Sequence, residues 1–512
     1  MNILPRPISA VEKGPELWVD EAIWGHRLHD EQTPWLAFLE FMGVLRAEAV
    51  QGRTLKEEAP NTLSYRPQHQ LKLRNILFNN PHVVTVRAEF TNDEERWSAW
   101  LERMADTAGG LDNKDFKYLR NHFDNFEDLA AVIALFQSSA IEGNSNKRWS
   151  SKFVFPFGAN ALYEDVNAGT KSVSNDRRFF GRTGEVLYMM LCRTSLAEEL
   201  GKLLTHRLMA GEGPYDSLLK ILQGEPQLSQ GPRGGAYLPL SGHPRFDRLA
   251  EDWISLLRSN VPIYDVVPHL VTMGGLNLIL YQLERAREVI GSGPSVNLVW
   301  EILGPKRTKV RDLSAKSFDA NQSLPWQAVE GHIRAVTATA EWQTALLSDH
   351  ARLAVAEVLE KHFEWPDSEE LGDAKGEPAQ LLEELVKKAQ VRHRQHVGRF
   401  HMAWSRQIGL SSRRSSRSTR YAPTDRLLKS LVVCRVQKRM ELNEFMASLY
   451  ERYRVVIGPM HAGELTGRGA ADHEDFADNR RRLEERLASL GLLERFSDSC
   501  AYVVNPFERI TT

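Results

Sequence analysis

The positions of apolar residues along the chain predict a protein built mainly from helices. Thr33 is a good helix N-cap, and Pro34 fits the first helical position, where its missing N–H is not needed. The apolar residues that follow, from Trp35 to Met42, form a nearly all-round apolar helix, which is typical of deep burial. Apolar helices are also predicted over 126–143 and 195–211, and the second ends in glycine.

Longer patterns follow towards the C-terminal half. Residues 335–365 and 379–409 carry apolar positions near helical spacing, whereas 75–86 alternates weakly and favours a strand. Residues 224–247 read as a long Gly/Pro-rich loop. We therefore expect the fold class to be mainly α, with a multi-helical body. Its predicted parts are a Trp-rich helical region at 1–110, a central mainly helical domain at 111–366, an acidic linker at 367–378 and a basic helix at 379–408.

The pattern changes after residue 423. Helices are predicted over 424–436, 441–458 and 473–491, and the alternating stretch 492–507 predicts a β-hairpin. Three helices followed by a hairpin resemble a winged helix-turn-helix domain, and the resemblance covers 424–509, about a sixth of the chain. Such domains place the N-terminal part of the third helix in the DNA major groove, although many winged helices bind proteins instead.

The uneven distribution of charge along the chain indicates the kind of partner that it binds. The chain has 512 residues and a net charge of −2, but residues 392–439 hold thirteen lysines and arginines against one acid, Asp425. This segment therefore carries +12 and leaves −14 on the rest of the chain. Such asymmetry indicates a part that faces a polyanion.

Two groups of arginines are the candidate nucleic-acid contacts. The Arg/Ser-rich stretch 409–423 is predicted to be a flexible linker, because it has little apolar surface to bury; a solvated tether is the alternative. The second group lies on the third helix, where acids from Asp472 to Glu485 oppose phosphate binding. The predicted DNA-binding residues are Arg413, Arg414, Arg417, Arg420, Arg480, Arg481, Arg482 and Arg486.

The stretch NDRRFFGRTGEVLYMMLCR (175–193) is the first candidate for chemistry. It lacks the spacing and the lysine of a phosphate-binding loop. The simpler interpretation is a helix capped by Thr183, with Glu185 favoured by the helix dipole. The arginines in front of it form an ion-pair cluster or an interaction surface with a partner or polyanion; they are Arg177, Arg178 and Arg182.

Other candidate sites are weak. His393, His396 and His401 lie among arginines that oppose a divalent ion, and no zinc-protease, serine-hydrolase or kinase motif occurs. Glu164, Asp165 and Lys171 favour a solvated loop over a nuclease site, and Ser241, His243 and Asp247 share one loop, which rarely builds a triad. We predict no catalytic residue, no metal and no cofactor.

The cysteines and the hydropathy of the chain predict where in the cell the protein is found. The three cysteines are far apart and odd in number, as expected in a reducing cytoplasm. The most apolar run, 266–281, is interrupted by Pro268, His269, two glycines and Asn277, so no membrane helix and no signal peptide are predicted.

The segments EAIWGHRLHDEQTPWLAFLEFMGVL and SNDRRFFGRTGEVLYMMLCR resemble proteins encoded in bacterial anti-phage defence clusters, of the methylation-associated type. The resemblance implies a non-catalytic subunit that contacts DNA or joins the other subunits of such a system, and it carries over no site residues. Two alternatives stay open: a nuclease with carboxylates dispersed over 110–300, and a winged-helix transcriptional regulator.

Overall fold

The protein is mainly helical, as predicted. The computed structural model describes residues 3–5, 15–26, 28–78, 80–139, 158–162, 166–168, 173–175, 181–210, 213–225, 227–228, 231–234, 236–291, 296–302, 308–365, 377–413, 418–467, 472–497 and 500–507. The helices are α1 Pro15–Trp24, α2 Pro34–Val50, α3 Leu71–Phe78, α4 His82–Glu89, α5 Asp93–Thr107, α6 Phe126–Ser139, α7 Thr183–Cys192, α8 Ala197–Leu208, α9 Pro214–Gln223, α10 Pro244–Leu257, α11 Ile263–Ile290, α12 Lys309–Arg334, α13 Ala340–Leu346, α14 Ala351–Phe363, α15 Pro378–His396, α16 Phe400–Gln407, α17 Asp425–Arg435, α18 Leu442–Tyr453, α19 Gly463–Gly467 and α20 His473–Ser489.

The strands are short and most of them pair in twos. They are β1 Ser64–Tyr65, β2 Gln68–His69, β3 Val166–Ala168, β4 Val173–Asn175, β5 Gln227–Leu228, β6 Arg233–Gly234, β7 Leu298–Val299, β8 Ser411–Ser412, β9 Arg420–Tyr421, β10 Arg439–Glu441, β11 Val455–Val456, β12 Leu493–Ser497 and β13 Cys500–Val504. The antiparallel pairs are β1–β6, β2–β5, β3–β4 and β8–β9, and β11 pairs with β7 in parallel. The larger sheet has the order β10-β13-β12.

Helix α11 lies at the centre of the main hydrophobic core. It runs unbroken through Pro268 and two glycines, where the sequence predicted an interrupted run. The glycines are needed for packing, because a Cβ on Gly275 would lie 2.6 Å from Ile408 and one on Gly274 would lie 3.2 Å from Trp253. By length and composition α11 meets the criterion for a membrane span, a criterion that core helices also meet, and 72% of its most apolar window is buried inside the protein.

A second hydrophobic core unites α3–α6 with α9. Its members run from Leu73 to Phe136 and include Leu219 and Leu222, so the boundary predicted at residue 110 falls inside it. The strand expected at 75–86 is wrong: α3 and α4 occupy this stretch, because Leu73, Ile76 and Leu77 are buried at helical spacing. The pairs β1–β6 and β2–β5 lie where the chain enters and leaves this core, and they join residues 64–69 to the predicted 224–247 loop.

Two predicted helices are each divided. The 335–365 stretch forms α13 and α14, which are separated by an exposed turn at Leu347. The 379–409 stretch forms α15 and α16, with a turn at Gly398.

The C-terminal helices α17, α18 and α20 and the β12–β13 hairpin lie where the sequence predicts them. They are not separate from the body: one core cluster extends from Val19 to Val503. Arg452 of α18 is also held by Asp252 of α10 at 2.9 Å, and the carbonyl of Arg452 accepts a hydrogen bond from Arg245. The body and the C-terminal segment therefore fold around a common interior.

Candidate nucleic-acid interface

The backbone N–H groups at the start of α7, in the GRTG stretch, are bonded to side chains of the same chain. The Thr183 N–H donates to Gln32 Oε1 at 3.1 Å, and the Gly184 N–H donates to Glu40 Oε2 at 2.8 Å. Thr183 is not the N-cap: its hydroxyl accepts from the His29 N–H instead, and Arg182 precedes the helix in a left-handed conformation. Side chains of this chain thus occupy the backbone donors that a phosphate would need.

Gly184 lets α7 lie directly against α2. A Cβ at this position would lie 2.5 Å from the Ala37 carbonyl oxygen and 2.6 Å from the Phe41 nitrogen, and backbone atoms cannot swing away as a side chain can. The sequence already argued against a phosphate loop here, and these distances show that the glycine serves helix packing.

We expect Gly184→Ala to destabilise the protein by about 1–3 kcal/mol, because the two helices must separate. Gly331→Ala is the matched control: this glycine lies inside α12, and a Cβ added to it would meet nothing within 4 Å, so alanine should stabilise by about 0.5–1 kcal/mol. Urea unfolding midpoints measure both changes, and equal shifts would contradict the packing role.

A buried acid pair lies behind the same stretch. Glu40 and Glu185 are both enclosed; Arg233 Nε lies 3.0 Å from Glu185 Oε1, and Tyr65 donates to the same oxygen. Arg182 Nε lies 3.6 Å from Glu185 Oε2, so Arg182 joins an internal ion-pair cluster, one of its two predicted roles. Burial, together with the charge of Glu185, raises the pKa of Glu40 to about 7. Arg177 and Arg178 lie outside the described residues.

This raised pKa predicts a pH dependence of stability. The stability that the folded protein gains from the raised pKa of Glu40 is fully present below the unfolded pKa of 4.5. It is lost as the pH rises through about 7. We expect wild-type stability, relative to Glu40→Gln, to fall by on the order of 2–3 kcal/mol between about pH 5 and pH 8. Unfolding midpoints of both proteins across that range give the difference; parallel curves would show that Glu40 does not titrate in this way.

The two ends of the arginine-rich stretch form a stem, which we call the arginine hairpin (residues 411–413 and 418–421). β8 pairs with β9, the Ala422 N–H donates to the Leu410 carbonyl at 3.0 Å, and the Thr424 N–H donates to the Gly409 carbonyl at 2.8 Å. The predicted flexible linker is therefore wrong at both ends, because Leu410 and Tyr421 bury themselves in the core. Arg413 is exposed at the top of the stem, and Arg414 and Arg417 lie outside the described residues.

Arg420 anchors the stem. Only 2% of its surface is exposed, and its Nε donates to the buried Glu301 carboxylate. This differs from the DNA-binding role predicted for Arg420, because a guanidinium that is buried beside a carboxylate cannot contact a phosphate.

Tyr421 completes the anchor. Its hydroxyl accepts from the Asn321 amide at 2.9 Å and lies 2.8 Å from His401 Nε2. Its carbonyl accepts from the Ser314 hydroxyl and from the Glu301 N–H, each at 2.9 Å. Burial lowers the pKa of His401 to about 3, so this imidazole is neutral.

Folding leaves much of the positive charge of 392–439 unneutralised. Seven cations of the segment are exposed and have no carboxylate within 4.0 Å among the described residues: Arg394, Arg399, Arg406, Arg413, Lys429, Lys438 and Arg439. The single acid, Asp425, is already paired with Arg486 of α20 at 2.7 Å. Burial is the main reason that the pKa of His269 is lowered to about 4; the charges of Arg426 and Lys429 add to this effect, and the charge of Asp265 opposes it.

Helix α20 is closer to neutral. Arg481 is exposed, as predicted, but pairs with Asp478 at 2.7 Å, and the Arg480 Nε is buried without a hydrogen-bond partner among the described residues. Arg482 is partly exposed and makes no ion pair within the described part of the chain. Three of the opposing acids are themselves paired: Lys309 contacts Asp472 and Asp475 at 2.7 and 3.5 Å, and Arg495 contacts Glu484.

The histidines near this surface are engaged within the protein. His393 Nδ1 lies 2.8 Å from Asp20 Oδ1, and His401 contacts Tyr421 as described above. Across the described residues no group of three or more His, Cys, Asp and Glu is arranged to hold a metal ion.

The other candidate sets are not assembled either. His243 caps α10 and lies 3.2 Å from Glu288 through Nε2, whereas Asp247 accepts from Thr194. Glu164, Asp165 and Lys171 lie outside the described residues.

Sequence reasoning missed the residues that hold these parts in place, namely Gln32, Glu40, Glu301 and Asn479. Each one bonds to a partner far away in the chain, so no local spacing marks it. Compared with known proteins, the chain matches no protein-family model, no curated protein and no solved structure.

Proposed function

We propose that this protein is a non-catalytic, DNA-contacting component of a bacterial anti-phage defence system. The observation that carries the DNA contact is the set of exposed cations in 392–439 that have no carboxylate partner within the described part of the chain. Exposed positive charge of this kind binds the phosphate backbone through release of counterions, without need of a particular base sequence.

The arginine hairpin suits such a contact. Its stem is fixed by the Arg420–Glu301 pair and by the hydrogen bonds of Tyr421, so the stem is ordered before DNA binds. A stem that is already ordered loses less entropy on binding than a free tether does. Arginine also offers two parallel donors to a phosphate, which makes it well suited to the loop.

We further propose that residues 424–509 are a winged helix-turn-helix domain. The order α17, β10, α18, α20, β12, β13 and the sheet order β10-β13-β12 support this assignment. Because the charges of α20 are largely balanced, this helix would add to a contact made mainly by the hairpin and the neighbouring cations.

The defence context and the partners rest on the sequence resemblance. We propose that the protein works in the cytoplasm and that the other subunits of the same system are its protein partners. The nuclease and the transcriptional-regulator alternatives stay predictions.

Equilibrium titration of a labelled duplex, about three helical turns long, with the full chain tests the proposal. At about 0.1 M salt we expect a Kd near 1 μM, at the tight end of ordinary non-specific binding. Heparin should displace the duplex, since it competes for the same cations. No binding at protein concentrations of about 100 μM would exclude the DNA contact.

A further inference from the structure

One short segment joins the arginine hairpin to α20. Along residues 298–302, the Leu298 N–H donates to the Arg454 carbonyl and the Trp300 N–H donates to the Val456 carbonyl, next to α18. The Glu301 N–H donates to the Tyr421 carbonyl of the hairpin at 2.9 Å. This segment thus contacts the C-terminal helices and the hairpin within a few residues.

Asn479 makes the connection to α20. Its side chain is 1% exposed, and its amide donates to the carbonyls of Trp300 and Ile457 at 2.8 and 2.9 Å. Its Oδ1 accepts from the Ile302 N–H at 2.8 Å. Glu301 bonds to the hairpin, and its neighbours Trp300 and Ile302 bond to Asn479. The bonds to the hairpin and the bonds to α20 are therefore one residue apart, about 3.3 Å along an extended chain.

We infer that the arginine hairpin and α20 contact one DNA duplex together, and that Asn479 is the positioning residue that fixes their spacing. This inference rests on the proposed DNA contact and names its substrate class, double-stranded DNA. A duplex is stiff over a persistence length of about 50 nm, so its phosphates have fixed spacings that two rigidly joined elements can match.

The hairpin composition also favours a duplex over a single strand. Residues 413–419 read RRSSRST and contain no aromatic residue. Sites for single strands combine positive charge with aromatic side chains on which bases stack. Arginine and serine side chains offer donors for phosphates and no surface on which bases stack.

Asn479→Ala tests the positioning role, with Asn75→Ala as the matched control. Asn75 is 2% exposed in the second core, and its amide donates to the carbonyls of Leu71 and Gly109 while its Oδ1 accepts from the Gly109 N–H. Both variants lose equivalent buried bonds and should show similar drops in melting temperature. We expect only Asn479→Ala to weaken duplex binding, by about tenfold at about 0.1 M salt, the equivalent of one phosphate contact. Equal binding by the two variants would overturn the positioning role.

Arg413→Ala, Arg482→Ala and the double variant provide a test that does not depend on the Asn479 variant folding. If both arginines contact the same duplex, each single change lowers the magnitude of the slope of log K against log salt by about 1. The double change then lowers it by about 2. We expect one duplex per chain and at least tenfold weaker binding to a single strand of equal length. Two duplexes per chain, an unchanged slope for Arg482→Ala, or tighter single-strand binding would contradict the inference while leaving the DNA contact intact. No wild-type binding would remove both proposals.

Discussion

Replacing Arg413, Arg414 and Arg417 together by alanine is expected to weaken duplex binding by about 500-fold at about 0.1 M salt. Each arginine that neutralises a phosphate contributes about 0.9 to the salt exponent of binding, so the loss of three contacts has a multiplicative effect. The stem is retained in this variant, because Arg420, Tyr421 and their partners are unchanged. Fluorescence anisotropy of a labelled duplex measures the change.

A matched control removes the same charge elsewhere. Arg87, Arg103 and Arg120 are also substantially exposed, but each is paired with a glutamate beside the second core. We expect the triple alanine variant of these residues to change the affinity less than threefold, an effect of net charge alone. If the two triple variants lose affinity equally, the hairpin has no special part in binding.

Glu301→Gln is expected to give the largest loss of stability, about 3–5 kcal/mol, because it leaves the guanidinium of Arg420 buried without a counter-charge. Both side chains of this pair are almost fully enclosed, at 2% and 3% exposure. The variant should also bind DNA more weakly, since the same pair holds the hairpin stem. Urea unfolding followed by tryptophan fluorescence gives the stability change.

Glu198→Gln is the control for this prediction. Glu198 and Lys202 form an ion pair at 2.6 Å on α8, but their side chains are 79% and 74% exposed. Solvated pairs of this kind contribute little to stability, so the unfolding midpoint should change little. Comparable shifts for Glu301→Gln and Glu198→Gln would mean that the Arg420 pair is not the anchor of the hairpin.

Signals that lie close together in the sequence predicted the structure well. Thr33 caps α2 by accepting the Leu36 N–H, and Thr424 caps α17 by accepting the Leu427 N–H. The pairing of β12 with β13 follows from the alternating pattern of 492–507. In each case, the residues that determine the structure lie within a few positions of one another.

Contacts between distant parts of the chain escaped prediction. Glu40 and Gly184 are 144 residues apart, Glu301 and Arg420 are 119 apart, and Ile302 and Asn479 are 177 apart. The composition of 409–423 indicated a flexible tether, because its many polar residues outweighed the buried Leu410 and Tyr421 at its ends. Tertiary burial of these two residues decides the conformation of the ends.

The shared interior also determines how the C-terminal region should be studied. A truncation near residue 390 would expose the apolar faces that α16 and α17 bury against α11 and α10. Loss of DNA binding by such a fragment would not distinguish a missing contact from a missing fold. Substitutions at exposed cations avoid this ambiguity, because surface changes away from packed features usually alter stability by less than about 0.5 kcal/mol.

The salt dependence of duplex binding by the wild-type chain is the most direct measurement of whether the cations of 392–439 face a nucleic acid. Between about 50 and 200 mM salt, engagement of five to seven of them predicts a slope of about −4.5 to −6 in the plot of log K against log salt. A slope shallower than about −2, or no measurable binding at the lowest salt, would show that these cations do not contact a phosphate backbone.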